Sequence, residues 1–437
     1  MTEDALARAS TGSARAELSA EARVAQVPWD ALAGLAAALD APLAEILAGA
    51  AAERVLDRLL RRLAPLSRPA RAAVAEAVFG VSLWRRRLQA QVGAADPPPR
   101  LLLGALLRDL GGRADWAALS SLPAEALPPP PPPPAGLAER WSLPDWLAEE
   151  LRRAAGDEAP ALADALDRPG PICLRVNRLR TTPEDLAARL AAEGVATAPG
   201  RLVPGCLLVA PVPGARPNVY GLGAFQEGLF EVQDEGSQLL GLVVEARGGE
   251  VVLDACAGAG GKTLLLAGAV GPAGRVHAAD PDAARLERLR ARAARAGASG
   301  IVALEGAAVP PELRVDRALV DAPCSELGAL RRGPDVRWRL DPASFAALPA
   351  LQLAILEGAA GRVRRGGRLV YATCTFRREE DEAVAEAFEQ AHPEYRRVRP
   401  AAAPAETVTP DGFVRTWPHR HGTDGFFAAA WERGGSP

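Results

Sequence analysis

Apolar residues recur along this chain at two spacings, and the change from one spacing to the other divides the chain. Between Trp29 and Leu110 they recur at three- and four-residue steps, which predicts amphipathic helices. From Gly236 onward, short apolar runs alternate with helical stretches, which is the pattern of a doubly wound parallel sheet. The segment between these regions mixes both patterns. We therefore expect an all-helical region, a small α/β region and a larger α/β domain.

The larger domain has five predicted strands, each followed by a loop or helix. The strands are expected to end at Asp254, Asp280, Glu305, Asp321 and Thr373. Helices are expected over residues 282–296, 343–362 and 379–392, and the runs 394–398 and 425–431 predict an antiparallel hairpin. In the small region, strands are expected over 172–176 and 206–209, and helices over 146–155 and 183–193.

A proline run marks the main domain boundary. Residues 128–134 are all proline, and polyproline II rises about 3.1 Å per residue, so the run forms a semi-rigid spacer of roughly 20 Å. We expect a helical domain over residues 1–127, with its first ~28 Ala-rich residues partly disordered. The linker at 128–134 is followed by a small α/β subdomain at 135–235 and the larger domain at 236–437.

Composition narrows the class of protein. The 437 residues are 49% apolar and 24% charged with a net charge of −3, so any surface for nucleic acid has to be local. Five scattered cysteines and four histidines show no disulfide or metal-ligand spacing, so we expect no metal and a reducing compartment. The acidic start is no signal peptide, and no run reaches the about 20 apolar residues of a membrane span. A cytoplasmic protein without membrane contact is expected.

Two cysteines carry the first sign of chemistry. Cys324 follows the strand that ends at Asp321, and Cys374 follows the strand that ends at Thr373. Residues just beyond the carboxyl ends of parallel strands line the ligand crevice of an open sheet. Two thiols beside a carboxylate at that edge indicate covalent chemistry at a carbon centre. The alternative interpretation is that both cysteines are small apolar residues packed under the sheet.

The segment from Asp254 to Thr263 indicates a nucleotide-like ligand. It reads as a strand, a glycine-rich turn and a helix start, where the backbone approaches a ligand closely. It is no phosphate-binding P-loop, because that pattern requires glycine at the position of Cys256. Asp280 ends the next strand 26 residues after Asp254, where such folds place a carboxylate on ribose hydroxyls.

Lysine usage singles out one residue in this turn. Lys262 is the only lysine among 51 basic residues, and all the others are arginine. A compact ammonium differs chemically from a planar guanidinium, especially where space is tight. We therefore interpret Lys262 as functional.

These segments resemble a known family. The turn at 254–263, Asp321-Ala322-Pro323-Cys324-Ser325 and Tyr371-Ala372-Thr373-Cys374 look like the RsmB/NOL1/NOP2/Sun family of RNA 5-methylcytosine methyltransferases. Further matching segments lie at 174–177, 232–238, 331–335 and 421–427. The resemblance covers about residues 140 to 433 well, and the amino-terminal part weakly.

The resemblance implies a fold and an activity. The fold is a class I, Rossmann-like methyltransferase domain, preceded by a small α/β RNA-binding subdomain and an all-α, NusB-like domain. The activity is S-adenosylmethionine-dependent methylation of cytosine C5 through a covalent bond between a cysteine and C6. Ribosomal RNA is the expected partner, with the small subunit favoured, and the protein is expected to be a monomer.

The resemblance also implies roles for single residues. Cys374 is the expected nucleophile, Cys324 assists product release, Asp321 faces the cytosine, and Lys262 lies between the cofactor loop and the active site. DNA C5 methyltransferases use the Pro-Cys position as nucleophile, so the chemistry alone leaves both assignments open. Because the attacking thiol must ionise, its pKa is expected to be lowered by nearby cations or helix ends.

Two further sets of contacts are expected. The cofactor set is Cys256, Ala257, Gly258, Ala259, Gly260, Gly261, Lys262, Asp280, Glu305 and Asp321. Glu305 stands in this set as the nearest counterpart of an adenine-contacting aspartate. The RNA set is Arg175, Asn177, Arg331, Arg332, Arg337 and Trp338, which supply donors, cations and an aromatic side chain.

Two other functions compete with this interpretation. A P-loop NTPase would account for Gly261-Lys262-Thr263, but it conflicts with Cys256 and leaves Cys324 and Cys374 unexplained. An RNA-binding assembly factor with a degenerate methyltransferase fold would need no chemistry. The presence of both cysteines, Asp321 and Lys262 argues against that alternative.

Overall fold

The computed structural model describes residues 18–211, 217–305 and 309–434. The chain divides into two compact units, one up to Ser142 and one from Leu143 onward. The first unit therefore continues past the proline run at 128–134, which was expected to separate the domains.

The first unit is all-helical over its described residues. Its helices are α1 (Ala20–Val24), α2 (Ala36–Leu47), α3 (Ala52–Arg62), α4 (Arg68–Leu83), α5 (Arg85–Val92), α6 (Pro99–Ala105, extended by a π-helical turn to Leu110), α7 (Trp116–Ser120) and α8 (Leu137–Arg140). Trp29 and Trp84 lie fully buried in one apolar core shared by these helices. Helix α1 occupies part of the stretch expected to be disordered, and residues 1–17 lie outside the described part.

The second unit begins with a small antiparallel sheet. Its strands are β1 (Cys173–Val176), β2 (Thr197–Pro199), β3 (Cys206–Val209) and β4 (Phe230–Val232), in the order β2-β3-β1-β4. Helices α9 (Asp145–Ala155), α10 (Ala159–Asp167), α11 (Pro183–Ala192) and α12 (Gly223–Gln226) accompany them. The pattern predicted β1 and β3, but β2 and β4 have three residues each and are too short to show alternation. Cys173 and Cys206 are buried in this region.

The large sheet has eight strands. They are β5 (Val251–Asp254), β6 (Arg275–Asp280), β7 (Ile301–Glu305), β8 (Val315–Asp321), β9 (Val363–Thr373), β10 (Tyr395–Arg397), β11 (Val414–Thr416) and β12 (Phe426–Arg433). The order is β10-β12-β9-β8-β5-β6-β7, and β11 pairs with β12. Strands β5 to β9 pair in parallel, whereas β12 runs antiparallel to β9 and to β10. All five strand ends predicted from the sequence coincide with the observed ends.

The strand order reverses direction at β5. The chain passes from β5 outward to β6 and β7 and then returns to β8 on the other side of β5. Crossover loops leave a crevice at such a switch point, at the carboxyl ends of the strands. This Rossmann-like sheet, closed by the antiparallel strands β10 and β12, is the methyltransferase architecture that the family resemblance implied.

Six helices complete the second unit. They are α13 (Glu235–Val243), α14 (Gly261–Val270), α15 (Ala283–Ala296), α16 (Leu348–Ala360), α17 (Glu382–Ala391) and α18 (Pro418–His421). Helix α16 begins five residues later than predicted, because residues 342–347 form a 3₁₀ turn capped by Asp341. Pro349 lies in the first turn of α16, where its missing N–H costs no helix hydrogen bond.

The stretch at residues 342–360 is both helical and strongly apolar. Residues 342–360 have a mean hydropathy of 1.4 and reach the length of a membrane span. In the structure, α16 contacts β8 and β9, and it buries Gln352, Leu356 and Ala359. The stretch is therefore accounted for as a helix of the layer that covers the sheet.

A buried ion pair joins α10 to the loop after β8. Arg337 and Asp167 lie 2.7 Å apart, and neither side chain is exposed to solvent. Burial raises the pKa of Asp167 to about 6, against the opposing effect of the Arg337 charge. Arg337 was expected to contact RNA, but the structure gives it this internal partner instead.

The pair predicts a characteristic pattern of stability. Asp167→Ala leaves the guanidinium buried without a counter-charge, which should lower the free energy of unfolding by about 3–5 kcal/mol. The double variant Asp167→Leu/Arg337→Met removes both charges and should be more stable than either single substitution. Urea denaturation of the wild type, Asp167→Ala, Arg337→Met and the double variant measures this. A double variant as unstable as the single ones would contradict it.

Candidate active site

Four strand ends meet at the crevice. The loop after β5 carries the glycines, β6 ends at Asp280, and the ends of β8 and β9 carry the two cysteine segments. Asp321 pairs in register with Ala372, so the residues that follow each strand are neighbours. The parallel pairing thus brings together segments that lie fifty residues apart in the chain.

The two thiols are in direct contact. The Sγ atoms of Cys324 and Cys374 lie 3.4 Å apart, and the backbone N–H of Cys374 also donates to Cys324 Sγ at 3.4 Å. Both residues are partly exposed, and both are free thiols. The structure therefore places both cysteines in the crevice, where one ligand can reach either sulfur atom.

Lys262 and Asp321 form the charged part of the site. The Lys262 Nζ donates to Asp321 Oδ2 at 2.6 Å, and only 9% of the lysine side chain is exposed. Burial by itself would lower the pKa of Lys262, but the neighbouring Asp321 charge and hydrogen bond outweigh it, so the pKa is raised. A negative Cys374 would raise it further. The ammonium is thus held in its charged form near the thiols.

Cys374 itself corrects a prediction. Its pKa lies well above the ordinary thiol value, first because it shares a hydrogen bond with Cys324, and second because the surrounding groups keep water from most of the thiol and so disfavour the thiolate. Charge on Asp321 and Glu326 adds to the same effect. The expectation that nearby cations lower this pKa is wrong for this arrangement. Cys374 is a neutral thiol here, and its ionisation requires a change in its surroundings.

A buried carboxylate that sequence reasoning missed joins the two cysteine loops. Glu380 is fully buried, and its Oε2 accepts hydrogen bonds from the Ser325 N–H at 2.9 Å and from Gln352 Nε2 at 3.0 Å. Gln352 also donates to the Pro323 carbonyl at 2.9 Å. The hydroxyls of Ser325 and Thr375 lie 2.8 Å apart and connect the two loops directly. The contact between the thiols rests on this network.

The neighbouring carboxylate supports the end of β9. Asp381 accepts a hydrogen bond from Thr373 Oγ1 at 2.5 Å and pairs with Arg415 at 3.0 Å. The sequence signal was the acidic run Glu379–Glu382 directly after the Thr-Cys segment. Such a run normally lies on the solvated first turn of a helix. Its burial depends on which strands surround it, which the sequence pattern does not show.

The glycine loop leaves room for a ligand. Gly258 and Gly260 have φ values of +54° and +88°, and a side chain at Gly258 would project into open space. A Cβ at Gly260 would lie 2.8 Å from Leu289, so this position requires glycine for space as well as conformation. A ligand can therefore approach the backbone at Gly258.

Asp280 organises the same loop. Its oxygens accept hydrogen bonds from the backbone N–H groups of Gly258 and Asp282, at 2.9 and 2.8 Å. Each carboxylate oxygen keeps a lone pair for a further donor, such as a ribose hydroxyl. The open glycine loop and this carboxylate fit the predicted cofactor, S-adenosylmethionine. Glu305 ends β7 opposite Asp280, but its side chain lies outside the described part, so its adenine contact stays a prediction.

Cys256 lies in the loop as a neutral group. Burial, followed by the negative charges of Asp254, Asp321 and Asp280, raises the pKa of its thiol well above the ordinary value. The residue is therefore suited to packing against a ligand and unsuited to nucleophilic attack.

Most of the predicted RNA contacts have internal partners. Asn177 Nδ2 donates to the carbonyls of Gly228 and Ala296 at 2.7 and 2.8 Å. Arg175 is buried and donates to Gln233 Oε1 at 2.6 Å. For Arg175, as for Arg337, burial leaves no surface for direct RNA contact. Asn177 is partly exposed, but its amide group already donates to two backbone carbonyls.

Arg331 and Arg332 join three of the segments quoted for the family resemblance. Arg331 Nε donates to Asp424 Oδ1 at 2.5 Å, and Arg332 donates to Asp424 at 2.9 Å and to Asp234 at 2.6 Å. Arg331 is buried, which corrects its predicted RNA contact, whereas the Arg332 side chain is 34% exposed. Trp338 is partly exposed. Of the predicted RNA set, Asn177, Arg332 and Trp338 are partly exposed, whereas Arg175, Arg331 and Arg337 are buried.

Among the residues that the structure describes, no group of three or more His, Cys, Asp or Glu side chains is arranged to hold a metal ion.

Known proteins were compared with this chain. The family described as 16S rRNA methyltransferase RsmB/F matches residues 241–432, and the RsmF/B-like ferredoxin-like domain matches residues 143–213. The small antiparallel sheet thus corresponds at least in part to the ferredoxin-like domain.

Individual relatives agree with this match. A Synechocystis sp. protein named "probable ribosomal RNA small subunit methyltransferase B" is 36% identical over 307 residues, 67% of each chain. A Bacillus subtilis protein of the same name is 34% identical over 319 residues, 68% of each chain. The crystal structure of PH0851 has a TM-score of 0.73 and 26% identity, and it covers 93% of this chain and 99% of that chain. This chain therefore belongs to the RsmB/F family of 16S rRNA methyltransferases.

Proposed function

We propose that this protein transfers the methyl group of S-adenosylmethionine to C5 of a cytosine in ribosomal RNA of the small subunit. The observation that carries the proposal is the pair of thiols in contact beside the Lys262–Asp321 ion pair, at the edge of a glycine loop. The names of the relatives support ribosomal RNA as the substrate class. The two-thiol site supports cytosine C5 as the atom that is methylated.

Covalent catalysis explains why a thiol is needed. C5 of cytosine is a weak nucleophile, and addition of the Cys374 thiolate to C6 turns the ring into an enamine that is nucleophilic at C5. A proton taken up at N3 from solvent, and held there by a hydrogen bond from N3–H to the Asp321 carboxylate, assists this addition. The bound cofactor supplies the electrophilic methyl group. Transfer of the C5 proton to water and expulsion of the Cys374 thiolate then restore the aromatic ring.

The second thiol has a role before and after attack. While Cys324 and Cys374 share a hydrogen bond, Cys374 stays neutral. We propose that entry of the base separates the sulfur atoms, which allows Cys374 to ionise next to the Lys262 ammonium. Cys324 then assists the release of the methylated base from Cys374. The target base has to be unpaired or flipped out of its helix to reach this depth.

The other regions are proposed to hold RNA. The all-α unit is proposed to be NusB-like, which its purely helical content supports. The small sheet carries an exposed loop with Arg178 and Arg180, and these arginines can contact RNA phosphates more readily than the buried Arg175. We propose that the protein acts as a monomer in the cytoplasm. An assembly factor without activity is the weaker alternative, because it gives no reason for two thiols in contact.

Asp280 tests the cofactor. Asp280→Ala removes the loop contact at Gly258 and the expected contact to ribose, so the Kd for S-adenosylmethionine should rise about ten- to a hundredfold. Asp282→Ala is the matched control, because the Asp282 side chain caps α15 and pairs with Arg285 but has no described contact with Gly258. Isothermal titration calorimetry measures both variants. Binding of ATP without any response to S-adenosylmethionine would disprove the proposal.

The two cysteines test the covalent mechanism. Cys374→Ala should abolish methyl transfer, because Cys374 is the proposed nucleophile and Cys324 is assigned to product release. Cys324→Ala should allow attack but stall release, and so trap a protein–RNA adduct that survives denaturing electrophoresis. The double variant should trap nothing. An adduct with Cys374→Ala but not with Cys324→Ala would reverse the roles, and no adduct from either variant would favour two structural cysteines.

Alkylation tests the raised pKa of Cys374. In the RNA-free protein, Cys374 should react slowly with iodoacetamide near pH 7, and its rate should still be rising at pH 9. Cys324→Ala removes the largest cause of the raised pKa. At pH 8 the rate should then rise, since a lower pKa gives a larger thiolate fraction. Mass spectrometry of the Cys374 peptide follows the reaction. A rate that is equal in both proteins would contradict the shared proton.

A further inference from the structure

Two arginines from outside the cofactor loop hold two of its carbonyl groups. Arg292, on α15, donates from Nη1 to the carbonyl of Ala259 at 2.8 Å. Arg175, on β1 of the small sheet, donates to the carbonyl of Gly261. The segment between β5 and the first residue of α14 is therefore held at two carbonyls. Strand β1, which precedes the segment, holds the Gly261 carbonyl, and helix α15, which follows it, holds the Ala259 carbonyl.

The two arginines belong to one buried cluster. Arg292 pairs with Glu231 of strand β4 at 2.9 Å, and Glu231 is only 4% exposed. Arg295, three residues further along α15, pairs with the other oxygen of Glu231. The charges of Glu231 and Arg292 also act on the Arg175 guanidinium, whose burial lowers its pKa to about 10. Two guanidinium groups thus pair with one carboxylate, and Arg175 is the residue opposite Glu231 in the pairing of β1 with β4.

Gln233, the residue directly after β4, also belongs to the cluster. Its Oε1 accepts the hydrogen bond from Arg175, and its Nε2 donates to Ser237 Oγ at 3.0 Å. The small sheet therefore contributes Arg175, Glu231 and Gln233 to the support of the cofactor loop. None of these residues lies in the methyltransferase sheet itself.

The loop needs such support for a physical reason. It contains glycines at positions 258, 260 and 261, and glycine loses more conformational freedom on ordering than any other residue. A loop that is already ordered before the ligand binds saves that entropy from the free energy of binding. Two charge-assisted hydrogen bonds to loop carbonyls provide this order.

We infer that Arg292, held by Glu231, and Arg175, held by Gln233, are positioning residues through which the small subdomain sets the affinity of the methyltransferase domain for its cofactor. The inference rests on the proposed function where it takes S-adenosylmethionine as the cofactor. It assigns to Arg175 a role towards the cofactor loop in place of its predicted contact with RNA.

The chain offers a matched pair of variants. Arg292 and Arg295 both pair with Glu231 from the same helix, but only Arg292 contacts the loop, whereas Arg295 donates to the Phe225 carbonyl at 2.9 Å. Arg292→Ala should raise the Kd for S-adenosylmethionine about tenfold, and Arg295→Ala should change it less than twofold. Arg292→Lys should recover part of the affinity, because an ammonium can still donate to the Ala259 carbonyl.

Two measurements on the full-length chain decide the inference. Calorimetry gives the Kd values, and hydrogen–deuterium exchange of the loop amides at 256–263 reports loop order without any cofactor. We expect faster exchange in Arg292→Ala than in the wild type or Arg295→Ala. Equal exchange rates in Arg292→Ala and Arg295→Ala would overturn the inference. Equal loss of affinity for S-adenosylmethionine in these two variants would overturn it as well, because the substitutions would then act through general destabilisation. Suppose that Arg292→Ala exchanges faster but the wild type does not bind S-adenosylmethionine. That result would support the positioning of the loop by Arg292 and would reject only the proposed cofactor.

Discussion

The parallel pairing of β8 with β9 is the interaction on which the site depends. Its register sets Asp321 beside Ala372, and the loops that follow then place Cys324 and Cys374 in contact at 3.4 Å. Strand pairing alone fixes the loops only approximately, because each loop is free to turn after its strand. Glu380 removes that freedom, since it accepts hydrogen bonds at the base of the Pro-Cys loop while it lies just after the Thr-Cys loop. The sheet thus brings the two loops side by side, and the buried Glu380 carboxylate fixes their positions.

Buried charge is used throughout the second unit to hold segments together. Arg337 pairs with Asp167, Arg331 with Asp424, and Arg292 with Glu231, each with at least one side chain almost fully buried. Guanidinium groups suit this use, because several donors in one plane satisfy a carboxylate and a carbonyl at once. This explains how a chain with 51 basic residues offers so few cations to RNA from its sequence motifs. Most of the arginines in those motifs are occupied within the fold.

The single lysine has a different task. Lys262 lies at the start of α14, between the cofactor loop and Asp321, where one small ammonium fits and a planar fork would need more space. Its charge is the one cation found near the thiols among the described contacts of the site. The resting site therefore combines a neutral thiol pair with a charged lysine. In the proposed mechanism, that arrangement keeps Cys374 neutral until a base enters, and it favours the thiolate afterwards.

The sequence by itself determined the sheet, the strand ends and the members of the crevice. Apolar runs that end in Asp254, Asp280, Asp321 and Thr373 are local signals, and in a parallel sheet the ends of such runs must meet at one edge. Whether an arginine points to solvent or into the fold depends on partners distant in the chain. Arg337 and Asp167 lie 170 residues apart, and Arg175 reaches a loop 86 residues away. The pKa of Cys374 and the burial of Glu380 were likewise decided only by tertiary packing, because desolvation and hydrogen bonding are properties of the assembled environment.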